Sequence, residues 1–391
     1  MRKNNSFIAL LLSGFIFLAP PASAGEAAAT EPPATDPVIV GAAPSDPVPV
    51  GSDAPDAAPE EKGRPDWTNM PEPKWVTEEQ FEKQLLLVHG KVPDPHFGIF
   101  GPHSQMWRIN KYIAPGALGA GRALALQIAH PWITAGIDEH SITRDDPLKR
   151  GRLTFKYILT MIYGNREQAL QAARDVRRIH EAVKGRLPYD AGVFVNGSEY
   201  RANEEQAMIW VHATLWETLM LMYEQSIGPV SKADKEKYYQ ETKLFAYLFG
   251  IREEALPETW DDFLAYCEEM RTNGTLVVTP ASKELQEFLY GVKGVGIFLW
   301  GPMQVMKVVT AANMPQDLNE GFGFGYGPVR NAMYKTMMWT SRVGHKVTPG
   351  FITKSPAHKE AVARLAGKKA GWLTRLELKV AFGESRLVND K

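Results

Sequence analysis

The chain has 391 residues, with 44 Lys or Arg against 45 Asp or Glu, and its one cysteine is Cys267. A formal net charge of -1 gives no electrostatic reason to expect a nucleic-acid partner. A lone cysteine excludes a c-type haem attachment, a cysteine-based zinc site and an iron–sulfur cluster.

Residues 1–24 have the three-part pattern of a secretory signal peptide. Two basic residues precede an apolar run from Phe7 to Leu18, and the small residues ending at Ala24 form a cleavage site. The apolar run is shorter than the roughly 20 residues that a membrane-spanning helix needs. We therefore expect export to the periplasm or the exterior, with no stable membrane span after cleavage. The alternative is an uncleaved membrane anchor.

Residues 25–66 are rich in Pro, Ala and Asp, with nine prolines and no aromatic residue. Such a segment cannot bury enough apolar surface to offset the entropy lost on ordering, so it is predicted to be a disordered linker. Globular composition returns at Trp67. Because no second Pro/Gly-rich break follows before the C-terminal third, residues 67–391 are predicted to form one domain.

Helical periodicity dominates from Glu78 onward. The predicted helices cover residues 78–89, 117–129, 148–163, 166–184, 204–226, 235–249, 260–271, 282–291 and 298–312. The one run with clear β character, Thr275–Thr279, is followed by Pro280 and predicts no more than a short extended piece. The fold is therefore predicted to be an all-α bundle.

His180 lies on the apolar face of the helix predicted over 166–184, in line with Ala169, Ala173 and Val176. The ring is therefore expected to point inward. Two interpretations remain open from the pattern alone: a core histidine with hydrogen-bond partners, or a metal ligand, since neutral imidazole is a good iron donor.

Arg150 and Thr154 are four residues apart, which puts a guanidinium and a hydroxyl on one face of the preceding helix. The planar guanidinium matches a carboxylate such as a haem propionate, and the hydroxyl adds a donor. The alternative is an ion pair between Arg150 and Asp145 or Asp146.

Two more histidines, His130 and His212, lie in apolar surroundings. A di-iron carboxylate bundle would require Glu-x-x-His pairs, and no histidine of the chain has a glutamate three positions before it. The chain also lacks the His-Glu-x-x-His, Gly-x-Ser-x-Gly and Walker motifs.

Five short motifs follow one another along the chain. They are Gly121-Arg122 with Gln127-Ile-Ala-His-Pro131; Ala135-Gly136 with His140-Ser141; Asp146-Pro147 with Arg150 and Thr154; His180-Glu-Ala-Val-Lys-Gly185; and Trp210-Val-His-Ala-Thr-Leu215. In this order and spacing they resemble the family of the fungal MpaB oxygenase and the bacterial latex clearing protein, the rubber oxygenases, over residues 95–300.

The resemblance implies an all-α fold of the rubber-oxygenase type that encloses a non-covalent haem b. It also implies oxidative cleavage of isoprenoid carbon–carbon double bonds with dioxygen. In this family pattern His180 is the axial iron ligand, and Arg150 and Thr154 lie beside the haem. His212 matches a later histidine on the cofactor side, whose role is structural rather than catalytic.

The chain departs from the rubber-cleaving pattern at Leu153, where that enzyme has a lysine able to cap the other side of the iron. The resemblance therefore implies a vacant or water-occupied distal site, unless His140 reaches it. The family's glutamate base has no clear counterpart, and Glu139 is the nearest carboxylate by position. Glu139 and His140 are the candidate catalytic residues.

The predicted function is a haem b-dependent oxygenase whose partners are dioxygen and an apolar small molecule or polymer. The alternative is a non-enzymatic, exported helical protein that binds an apolar ligand or lipid in the same pocket. Met- and Trp-rich segments of the C-terminal third, including Met333 and Trp339, suit the lining of an apolar channel, and core packing explains them equally well.

Overall fold

The computed structural model describes residues 72–92, 94–140, 145–291 and 297–388, apart from the side chains of residues 298 and 299. In chain order its elements are α1 (Glu78–Lys91), α2 (Gln105–Asn110), α3 (Ile113–Ile128), α4 (Pro131–His140), α5 (Pro147–Tyr163), α6 (Arg166–Glu181), β1 (Lys184–Arg186), β2 (Glu199–Arg201), α7 (Glu205–Ser226), α8 (Lys232–Tyr247), a 3₁₀ turn (Glu253–Ala255), α9 (Trp260–Thr272), α10 (Pro280–Tyr290), α11 (Ile297–Asn313), α12 (Gln316–Phe322), α13 (Pro328–Val347), α14 (Gly350–Thr353), α15 (Pro356–Leu365) and α16 (Trp372–Phe382). The described residues all belong to one compact unit, which confirms the predicted all-α single domain. The predicted signal peptide and linker lie outside the described residues.

The predicted helices between residues 78 and 312 agree with the structure to within four residues at each end. Local sequence signals account for this agreement, and the α5–α6 hairpin is the clearest example. Asp146 caps α5 by accepting a backbone N–H of its first turn at 2.9 Å, with Pro147 as the first helical residue. Asn165 forms a capping box at the start of α6. Because only Gly164 and Asn165 separate the two helices, they fold back on each other and pack side by side.

The centre of the bundle is α7, a helix of 22 residues of which 14 are buried. Its sequence is apolar on nearly every side, which is typical of a helix enclosed by others. Its main partner is α3, which is rich in Gly and Ala. A Cβ at Gly119 would lie 2.8 Å from Cγ2 of Thr218, so the glycine allows the two backbones to approach closely.

A polar network is buried between α3, α7, α9 and α11. Arg122 Nη1 donates to Oε2 of Glu217 at 2.6 Å and to the Thr218 hydroxyl at 2.5 Å, and its Nε donates to the carbonyl of Asn313 at 2.8 Å. Arg271 Nη2 donates to the other oxygen of Glu217 at 2.8 Å. Burial opposes ionisation of Glu217, but the two guanidinium groups outweigh it and lower the carboxyl pKa. The ion pairs join three helices, and the hydrogen bond to Asn313 adds a fourth.

The described residues contain one small sheet, which the sequence patterns did not predict. β1 and β2 pair antiparallel, with Gly185 opposite Tyr200. The helix predicted to reach residue 184 ends earlier, because the chain enters β1 there. The run Thr275–Thr279 is extended but belongs to no strand, and its Val277 N–H donates to the carbonyl of Ala129 at 2.8 Å.

The C-terminal part of the fold consists of α12 to α16, which the sequence patterns left unassigned. α13 packs on α7 and α11, while α15 and α16 pack on each other and on α5. In the part of the chain that the structure describes, no helix has both the length and the apolar character needed to cross a bilayer.

Candidate functional site

The α5–α6 hairpin brings Arg150 and His180 to the same height. Arg150 lies 13 residues before the end of α5, and His180 lies 14 residues after the start of α6. At 1.5 Å per residue, both are therefore about 20 Å from the turn that joins the helices. The guanidinium charge contributes to the lowered pKa of the imidazole, so the two side chains are within electrostatic range of each other.

His180 is a neutral, desolvated imidazole. Its ring lies 6.3 Å from the ring of Phe249, centroid to centroid. Burial lowers the pKa of His180 to about 4, and the positive charges of Arg177 and Arg150 lower it further. No described residue forms a hydrogen bond to either ring nitrogen, so the interpretation of His180 as a core histidine with partners finds no support in this part of the chain. A lone pair on one nitrogen is available to a metal.

Arg150 is a desolvated cation. Burial lowers the pKa of its guanidinium. Among the described residues no carboxylate pairs with it, and the alternative ion pair with Asp145 or Asp146 is not formed, since Asp146 caps α5 instead. By contrast, Arg177 near the same histidine donates to the carbonyl of Val76 at 2.8 Å and to Glu181 at 3.1 Å. A buried guanidinium without a counter-ion is unfavourable, so this position suits an anionic ligand group.

Both side chains are only half-buried, although burial shifts their pKa values. Surrounding protein atoms therefore leave accessible space next to them. The interior helices show the same feature along one face each, at helical spacing. These partly accessible residues are Ala117, Ala120 and Leu124 on α3, and Val211, Leu215 and Leu219 on α7. The bundle thus has room for an apolar group inside it.

Thr154 follows Arg150 by one turn and is exposed. Its hydroxyl donates to the backbone carbonyl of Arg150 at 3.0 Å. Because that hydrogen is used within the helix, the oxygen is left to act as an acceptor. The role of Thr154 as a donor to a ligand stays a prediction.

His212 has a partner within the protein. The ring is buried in α7, its Nε2 lies 2.9 Å from the carbonyl of Thr242 in α8, and it makes an edge-on contact with Trp216. Burial lowers the pKa of His212 to about 4. This geometry supports a structural role in joining α7 to α8, and its assignment to the cofactor side stays a prediction.

Glu139 and His140, at the end of α4, meet at a residue that sequence reasoning missed. The phenol of Tyr200 donates to Oε2 of Glu139 at 2.5 Å, and Nε2 of His140 lies 3.1 Å from the same phenol oxygen. Burial and the Glu139 carboxylate raise the pKa of Tyr200. Opposite it in the sheet, Gly185 leaves the space that the phenol occupies, because a Cβ there would overlap the oxygen. The three side chains form a connected hydrogen-bonded group, and their catalytic role stays a prediction.

The group of Glu139, His140 and Tyr200 lies close to the chain segment that follows His180. The chain passes from His180 to β1 within a few residues, and a Cβ at Gly136 of α4 would lie 3.3 Å from Cγ1 of Val183. Tyr200 had no signal in the linear pattern, because its partners come from α4, about 60 residues earlier in the chain. Only the pairing of β1 with β2 brings it there.

The arrangement fits a haem as far as its donors are concerned. A porphyrin brings four of the iron ligands with it and needs one neutral imidazole, and its propionates need cations. His180 supplies the neutral imidazole, and Arg150 supplies a cation. Within the ranges that the structure describes, no group of three or more His, Cys, Asp and Glu side chains is placed to hold a metal ion.

Comparison with known proteins gives one family match. A family model described as "ER-bound oxygenase mpaB/B'/Rubber oxygenase, catalytic domain" matches residues 107–343, which include the α5–α6 hairpin, the small sheet and the polar network. No curated protein and no solved structure matches the chain.

Proposed function

The chain belongs to the family of MpaB and rubber oxygenase catalytic domains, and we propose that it is a haem b-dependent oxygenase. In this proposal it uses dioxygen to cleave carbon–carbon double bonds of an isoprenoid or another apolar substrate. One observation carries the proposal: Arg150 and His180 lie within electrostatic range of each other on the α5–α6 hairpin, both desolvated and neither paired with a described residue. Buried polar groups without protein partners are most readily explained by a ligand.

Each residue of the site has a proposed task. His180, neutral at physiological pH because burial lowers its pKa to about 4, holds the haem iron through a ring nitrogen. Arg150 binds a propionate, which neutralises its buried charge. When bound, haem supplies the iron chemistry that activates dioxygen. The partly accessible apolar residues on α3 and α7 hold the substrate and exclude water.

Glu139 is the proposed base that takes an allylic proton from the alkene. The Tyr200 phenol, which donates to the carboxylate at 2.5 Å, holds Glu139 in place. His140, 3.1 Å from the same phenol, can pass the proton onward. Tyr200 therefore acts as a positioning residue, and Tyr200→Phe is expected to lower turnover while leaving haem content unchanged.

Haem absorption of the full chain tests the assignment of His180. The purified protein supplied with haem is expected to show a Soret band that shifts on reduction. His180→Ala is expected to abolish or displace this band. The matched control is His89→Ala, since His89 is an exposed histidine at the end of α1. An unchanged spectrum in His180→Ala, or a colourless wild-type protein, would contradict the proposal.

A second candidate function is a non-enzymatic carrier of an apolar ligand. The accessible apolar faces of α3 and α7 support it, because a lipid chain fits such a surface without any iron. An oxygen electrode separates the two functions, with squalene as the probe alkene. Oxygen uptake with formation of carbonyl products supports the oxygenase. Copurifying lipid without oxygen uptake supports the carrier.

We also propose export, on the pattern of residues 1–24. N-terminal sequencing of the protein recovered from outside the cytoplasm is expected to begin at Gly25. A chain that retains Met1 in the membrane fraction would support the uncleaved anchor instead.

A further inference from the structure

α13 has an unusual composition for a surface helix. Its 20 residues include four Lys or Arg and no Asp or Glu. The surrounding C-terminal helices continue this bias, since residues 328–382 contain eleven Lys or Arg and two Asp or Glu. The whole chain nevertheless has a formal net charge of -1, so positive charge is concentrated in this part of the sequence.

One side of α13 faces the protein. Met337, Met338 and Ser341 are buried there, and α7 and α11 are the helices packed against it. These three residues share one side of a helical projection at 100° per residue. The rest of the helix circumference is therefore turned away from the bundle.

The outward side of α13 is apolar. Val329, Met333, Val343 and Val347 lie within roughly 40° of one direction on the helix, and they are between 40% and 75% exposed. Phe351, in the short α14 that follows, is also 57% exposed. Met333, for which the sequence left channel lining and core packing both open, thus lies on the outside of the fold. Large apolar side chains exposed together indicate a contact surface.

A basic edge borders this apolar face. Lys335, Arg342 and Lys346 lie within roughly 40° of each other, on one flank of the outward side. Trp339, 66% exposed, lies between this edge and the apolar face. Trp339, for which the same two interpretations were open, also lies on the outside of the fold. An apolar face, a basic flank and an aromatic residue at their boundary are typical of a helix lying in a membrane interface.

We propose that α13 and α14 lie in the plane of an anionic membrane surface. The apolar face enters the headgroup region, Trp339 lies at its boundary, and Lys335 and Lys346 contact anionic headgroups. Arg342 reaches back to the carbonyl of Glu224 at 2.6 Å and helps to hold the helix on the protein. This association is peripheral and does not depend on haem or on turnover.

Charge decides between a membrane and other occupants. A second copy docked through the same face would bring two basic edges together, and α13 has no acidic side chain to pair with them. A nucleic acid would engage the basic edge but would leave the apolar face in water. An anionic bilayer would bind the basic edge through its headgroups and would also cover the apolar face.

Vesicle cosedimentation of the full chain tests the inference. The probes are vesicles of phosphatidylcholine alone and vesicles with about one third phosphatidylglycerol. Binding to the anionic vesicles is expected, and it should weaken at high salt. Lys335→Gln/Lys346→Gln is expected to weaken it about twenty-fivefold, from about fivefold for each charge removed. Val343→Ser/Val347→Ser should also weaken it, because the apolar face is lost.

The matched controls are Lys83→Gln and Leu86→Ser, two exposed positions on α1. All variants carry the same N-terminus, so differences among them report on α13, and circular dichroism checks that they are folded. Binding of the α13 variants equal to that of the controls would overturn the inference, as would failure of the wild-type chain to bind anionic vesicles. A solution dimer that Val343→Ser/Val347→Ser dissociates would assign the face to a second copy and would also overturn it.

Discussion

Two buried arginines show what separates a structural charge from a candidate ligand site. Arg122 in α3 has partners for every guanidinium nitrogen, from Glu217, Thr218 and Asn313. Arg150 in α5 is also desolvated, yet no described residue pairs with it. Arg122 is almost fully buried and Arg150 is half-buried, and the two also differ in their number of partners among the described residues. The first charge joins helices, and the second is the one that we propose binds a ligand.

The largest expected loss of stability is at the polar network around Glu217. Glu217→Gln should destabilise the protein by about 3–5 kcal/mol, because it leaves the buried guanidinium of Arg122 without a carboxylate and leaves Arg271 with only the exposed Glu268. Urea unfolding measures the change. The control is Asp261→Asn, which removes an exposed partner of Lys232 and should cost less than about 1 kcal/mol. Equal effects of the two variants would contradict the network's structural role.

Packing beside the network should give the next largest effect. In Gly121→Ala the new Cβ would overlap the hydroxyl of Tyr290 and lie 2.5 Å from Oγ1 of Thr310, so we expect a loss of about 1–3 kcal/mol. Gly116→Ala on the same helix meets nothing within 4 Å and should stabilise by about 0.5–1 kcal/mol. Thermal unfolding of the two variants should therefore shift in opposite directions. A shift in the same direction would show that the helix relaxes around the added methyl group.

His212 should make the stability depend on pH. Burial lowers its pKa to about 4, below the value of about 6.5 for an unfolded chain, so the unfolded state binds more protons between these values. The free energy of unfolding should fall by about 1.4 kcal/mol per pH unit from this group as the pH drops through that window. His212→Gln keeps a donor for the Thr242 carbonyl but does not titrate. If urea unfolding at about pH 7.5 and about pH 5 gives the same pH dependence for both proteins, this assignment is wrong.

The smallest expected change in the free energy of unfolding is at Arg150, where the substitution should stabilise the haem-free protein. Arg150→Met removes a buried cation that lacks a described partner, and should stabilise the haem-free protein by about 1 kcal/mol. The same variant should bind haem more weakly, because a propionate loses its cation. Arg178→Met is the control, since Arg178 is exposed and pairs with Asp175 on the surface of α6. A destabilised haem-free Arg150→Met would show that the charge serves the fold.

The sequence alone determined the elements that carry the site. Pro147, Asn165 and the spacing of apolar residues are local signals, because they act on hydrogen bonds and burial within one or two turns. They predicted the two helices over residues 148–163 and 166–184 and the inward direction of His180. The five motifs likewise identified the family that the match over 107–343 confirms.

Only the tertiary structure decided which partner each polar group has. Asp146 is close enough to Arg150 in the sequence to form an ion pair with it. In the structure Asp146 caps α5 instead. Tyr200 joined Glu139 and His140 through a strand pairing that no local pattern indicated. The sequence also did not predict the exposed apolar face of α13, because burial depends on which helices pack against which side. Pairing and packing act between residues far apart in the chain, so they follow from the assembled bundle.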